Sequence, residues 1–183
     1  MQEYASWYLL RNARKSSSVI TPTMRHDPAV QMWLHHEHKM RNWFGASTIW
    51  NIVELENVNE LANVVFLESA WTKSEGLVRS DGANYRLLDR VATNAITSGY
   101  LHRSSDQRCR IYYEQLEAGD LKLEGDNRIA ICSAEPSEIA SNPSATFYLL
   151  DGVGRCLPYM ILLKQGRIAF DPIEAFLAIR GDA

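Results

Sequence analysis

Apolar positions along the chain follow two spacings, one near 3.6 residues and one of short β-rich runs, and each predicts its own element. Residues 2–14 place Tyr4, Trp7, Tyr8 and Leu10 at helical spacing before the Ser16-Ser17-Ser18 run. Asp27-Pro28 opens a second predicted helix over 28–44, with Val30, Trp33, Leu34, Met40 and Phe44 on one side and Gly45 as its stop. Ile49–Leu55 and Val64–Leu67 read as strands, with a loop or short helix over 57–60 between them. A loop over 76–82 leads to a helix over 85–98, whose stripe is Leu87, Leu88, Val91, Ala92 and Ala95 and whose stop is Gly99. A further helix over 106–118 ends at Gly119. Strands over 128–134 and 146–150 flank a loop over 135–145 that carries two prolines. The remaining segments read as a helix over 155–164, a short strand over 168–170 and a closing helix over 172–179. The pattern predicts an α+β fold: a small mixed sheet packed by helices in one domain over 1–183, with a mainly helical extension over 1–45 and the core over 46–183.

The chemistry concentrates after one of these strands. Thr146-Phe147-Tyr148-Leu149-Leu150 runs into Asp151-Gly152-Val153-Gly154-Arg155, and helical spacing follows through Leu157, Met160, Ile161 and Leu163. Strand, glycine turn and helix aim backbone N–H groups and the positive end of a helix dipole at one spot, which suits phosphate or carboxylate. Gly152, Val153, Gly154 and Arg155 are therefore the candidate phosphate-binding residues, with the Arg155 side chain expected at the surface as a charge-assisted second contact. The alternative reading of the same residues is a plain strand-to-helix turn capped by Asp151.

Residues 111 to about 170 resemble the ParB/sulfiredoxin-like fold. The resemblance is carried by the helix residues Tyr112–Leu116, the turn Gly119-Asp120-Leu121, the strands Ile129–Cys132 and Phe147–Leu150, Asp151-Gly152, Arg155 and the Leu157–Lys164 helix. In that family the Gly-x-x-Arg turn holds nucleotide phosphates, so the resemblance implies the same for Gly152 to Arg155. Two positions depart from the family pattern: Gly154 stands where histidine is usual, and Val153 stands where sulfiredoxins carry their catalytic cysteine. Sulfinic-acid reduction is accordingly not expected, nor is the helix-turn-helix continuation of ParB segregation proteins. The family's free-amino-acid kinase type remains, with a non-catalytic ParB-like nucleotide-binding regulator contacting DNA or a protein partner as the alternative. The kinase type implies ATP or another nucleotide with Mg²⁺, a small-molecule substrate and an acidic catalytic residue near an earlier strand. Glu68, directly after Val64–Leu67, is the first candidate base and Glu56 the second.

Composition changes this picture little. A net charge of −3 over 183 residues gives no polybasic surface, so a nucleic-acid partner is not expected. No apolar run reaches the length of a membrane span. Three widely spaced cysteines, Cys109, Cys132 and Cys156, point to reduced thiols and a cytoplasmic protein. Cys156 beside Arg155 invites a nucleophile reading, against which stands the ordinary small buried cysteine. His35 and His38 share a helical face; a metal would need a third ligand from another segment, for which His102 or Asp27 could serve, so no metal site is assigned, a solvated face is expected, and a metal-dependent enzyme on this helix is the weaker alternative.

Overall fold

The computed structural model describes residues 49–66, 70–79, 84–103, 107–134 and 136–179. The two predicted helices over 2–14 and 28–44, with His35 and His38, lie outside the described residues, as does Glu68. Among the described residues five strands form one sheet: β1 (Ile49–Leu55), β2 (Val64–Val65), β3 (Ile129–Ser133), β4 (Phe147–Asp151) and β5 (Ile173–Ile179), in the order β1-β5-β3-β4-β2. The sheet is mixed, because β4 pairs antiparallel with β3 and parallel with β2. The helices are α1 (Val58–Ala62), α2 (Ala70–Ser74), α3 (Leu88–Ser98), α4 (Tyr100–Arg103), α5 (Gln107–Ala118), α6 (Pro136–Ser141) and α7 (Val153–Lys164). This is the expected α+β arrangement. The chain divides into two compact units, one of residues 1–51 with 178–183 and one of Ile52–Leu177. The second contains the Gly152 turn and everything that touches it below.

The core of that unit is built around α7. Every residue from Arg155 to Leu162 is buried. A helix apolar on all sides needs partners on all sides. α3 and α5 pack against it. The partners are tied at their rims by Lys164 on Asp89, by Arg167 on Glu117, and by the Tyr113 hydroxyl donating to Gln165 Oε1 at 2.8 Å. Gly154, in the first turn of α7, faces Tyr112 of α5: a Cβ there would stand 3.5 Å from the ring, in ordinary contact.

Several boundaries follow local chemistry. Asn57 starts α1 with a full capping box, its side chain accepting from Asn59 and Glu60 while the Glu60 carboxylate accepts from the Asn57 amide. Gly99 ends α3 in the left-handed region at φ +65°. Four expectations change. Residues 85–87 form a turn rather than the first turn of α3, because Leu87 bridges Val65. The 135–145 loop contains α6, which starts on Pro136 at the one helical position where proline loses no hydrogen bond. Residues 168–170 form no strand. The closing segment is a strand, β5, not a helix. It lies between β1 and β3 in the sheet order, where both of its edges face a neighbouring strand.

Candidate functional site

β4 ends at Asp151, Gly152 is the N-cap of α7, and the helix begins at Val153. Gly152 has φ +103°, a conformation that only glycine adopts cheaply. The turn is pressed onto β3 as well: a Cβ on Gly152 would lie 2.8 Å from Ile129 Cγ2 and 3.2 Å from Arg155 Nη2. Both reasons for glycine, backbone and space, therefore meet at one residue. The Gly152 carbonyl accepts from the Arg155 and Cys156 amides at 2.9 and 2.8 Å, which closes the first turn of α7. The amides of Val153 and Gly154 precede those bonds and belong to the donors that every helix N-terminus leaves to outside acceptors. Both residues are half-buried, so solvent reaches this end of the helix.

Arg155 is not at the surface. Its exposure is 0%, which corrects the expectation of an outward guanidinium. The side chain folds under the turn, where Nη2 donates to the Arg128 carbonyl at 2.9 Å and meets Asp151 Oδ2 at a looser 3.4 Å. Asp151 keeps 30% of its side chain exposed. The pair spans the turn, from the last residue of β4 to the first turn of α7. Asp151 itself is not the cap, since the cap position is Gly152.

Arg128 extends the network to the next strand. Its guanidinium reaches Glu174 Oε2 on β5 at 2.5 Å and lies over the Phe176 ring, 5.4 Å from the centroid. The same Glu174 oxygen accepts the Gly125 amide at 3.0 Å. That backbone hydrogen bond, with the Arg128 charge and hydrogen bond beside it, holds the Glu174 carboxyl below its ordinary value, against a smaller opposing effect of burial. Asp151, Arg155, Arg128 and Glu174 thus link β4, α7, the entry to β3, and β5 through two ion pairs joined by the Arg128 backbone carbonyl. Arg128 and Glu174 are 46 positions apart in sequence and carry no local signal; only the Asp151–Arg155 spacing was readable.

The remaining candidates separate. Gly152, Val153, Gly154 and Arg155 stand together as one turn. Glu56 follows β1 and is exposed, three strands from β4 in the sheet order, a distance of about 14 Å at the usual strand spacing. The carboxylate that does accompany the turn is Asp151. Cys156 is fully buried, and burial, followed by the nearby Asp151 charge, pushes its thiol up, so the buried reading holds and the nucleophile reading does not. At the far end of α7 a shallow recess is lined by Ala95, Ile96, Gly99, Leu101, His102, Ile161 and Gln165, away from the turn. No helix among the described residues is long and apolar enough to cross a membrane. Compared with known proteins, the chain matches no family model, no curated protein and no solved structure.

Proposed function

We propose that this chain is a nucleotide-binding enzyme of ParB/sulfiredoxin-like type, which uses ATP with Mg²⁺ to phosphorylate or otherwise activate a small metabolite. The observation that carries the reading is the left-handed Gly152 cap, which presents the Val153 and Gly154 amides at the start of a twelve-residue helix over a buried arginine. In this reading the two amides make the direct contacts to phosphate. Arg155 acts from beneath, as a fixed positive charge in a low-dielectric setting, where its field is screened less than at the surface. Asp151 opposes the ligand's charge, and Mg²⁺ bridging carboxylate and phosphate would relieve that repulsion.

The test is a thermal-shift screen with sulfate and with ATP, with and without Mg²⁺, alongside amide chemical shifts of Val153 and Gly154. Binding at the turn moves both amides. Asp151→Asn, measured without metal, should tighten sulfate several-fold, because removal of a neighbouring like charge is worth about 1 kcal/mol at a partly exposed position. Absence of any thermal shift, or binding that leaves both amides unmoved, overturns the proposal.

A second reading, a non-catalytic nucleotide-binding regulator, is favoured by the position of Glu56 at the opposite side of the sheet order. Phosphotransfer needs a carboxylate at the acceptor, and Glu68 is the remaining candidate for it. Glu68→Gln should lower turnover by roughly 10²–10⁴ and leave nucleotide affinity unchanged if Glu68 is the base. Nucleotide binding with no turnover that responds to Glu68→Gln or Glu56→Gln selects the regulator.

A further inference from the structure

Arg155 is fully buried, and its guanidinium is bonded to a backbone carbonyl. Its Nη2 donates to the carbonyl of Arg128, the C-cap of the one-turn 3₁₀ segment Gly125–Asn127. Two anchors of different kinds hold that turn to β5. At its base the Glu174 amide donates to the Leu123 carbonyl at 2.8 Å, a backbone bond independent of side-chain charge. At its tip a single oxygen, Glu174 Oε2, receives both the Gly125 amide and the Arg128 guanidinium. Loss of that one negative charge therefore releases the tip at two points while the base stays paired. The residue whose carbonyl covers Arg155 is one of the two released.

We propose that the turn from Glu124 to Arg128 is a latch over the buried Arg155, and that Glu174 is the group that holds it shut. With the latch closed, an anion at the Gly152 turn reaches the helix amides alone. With it open, the guanidinium loses its carbonyl acceptor and becomes available as a second, charged contact. The inference rests on reading the Gly152 turn as an anion site, but the latch itself is measurable without a ligand.

The experiment follows phenylglyoxal modification of Arg155 by peptide mass spectrometry, together with amide hydrogen exchange at Gly125–Arg128 and at Met160–Leu162 in α7. Wild type, Glu174→Gln and Arg128→Met are compared. Arg128→Met removes the ion pair from the other side and keeps an apolar stem against Phe176, so the test survives if one variant folds poorly. Glu174→Gln should raise Gly125 exchange, and both variants should raise Arg155 reactivity, by about 10–100-fold, the equivalent of one hydrogen bond to a charged group, with the α7 amides unchanged. Arg155 protected in both variants overturns the latch. So does reactivity that rises only in step with exchange in α7, since that reports unfolding. Sulfate binding by the wild type is read separately: its absence would remove the anion site and leave the latch result standing.

Discussion

A Cβ on Gly152 would sit 2.8 Å from a β-branched side chain that is itself fully buried, and the backbone there has φ +103°. Neither conflict relaxes by rotating a flexible tail. Gly152→Ala should therefore destabilise the fold by about 2–4 kcal/mol, the sum of left-handed strain and local overpacking, as read by chemical denaturation. Arg155→Ala should cost about 2–4 kcal/mol as well, since it empties a packed site and leaves the Arg128 carbonyl without its donor. Its effect on ligand binding is consequently not a clean measure of phosphate contact, and the Val153 and Gly154 amides are the better probes. All three cysteines are buried. A thiol reagent at neutral pH should modify none of them quickly in the native protein and all three after denaturation; a fast-reacting native thiol at Cys156 would contradict the burial described.

Elements were legible where their signal is local. β1 matches its predicted span because a β-rich run ends there against Asn57, and the Asn57–Glu60 capping box marks the start of α1. Asn57→Ala should cost about 1 kcal/mol of stability in denaturant titration. The β4–Gly152–α7 turn was legible for the same reason: strand, glycine and helix are adjacent in sequence. β5 was not. Ile173-Glu174-Ala175-Phe176-Leu177-Ala178-Ile179 holds apolar residues at spacings that suit either a helix or a strand with both faces covered. Burial of Ile173, Ala175, Phe176 and Ala178 is the pattern of a central strand, which only the neighbouring strands impose. The inward course of Arg155 was illegible too. An arginine four residues after an aspartate pairs with it equally well at a surface, and its burial depends on a carbonyl 27 positions earlier.

For the whole molecule, the Glu174 network sets a sign for the pH dependence of stability. Its carboxyl titrates below the ordinary 4.5 in the folded state, so its contribution is complete above that value and is lost as pH falls through the lower native value. Stability measured from pH 7 downward should hold until about pH 4.5 and then decline, and Glu174→Gln should flatten the decline while lowering stability at neutral pH. An unchanged acid slope in the variant would count against the pairing. The strand order carries a different consequence, one of timing. β5 is the last described strand, yet it lies between β1, the first described strand, and β3. During synthesis β1 waits more than a hundred residues for its partner, and β3 keeps one open edge until the same moment. Such non-local closure is slow, and open edges recruit other chains meanwhile. A chain cut after Asp171 should therefore aggregate under conditions in which the chain carrying β5 stays dispersed, as light scattering would show.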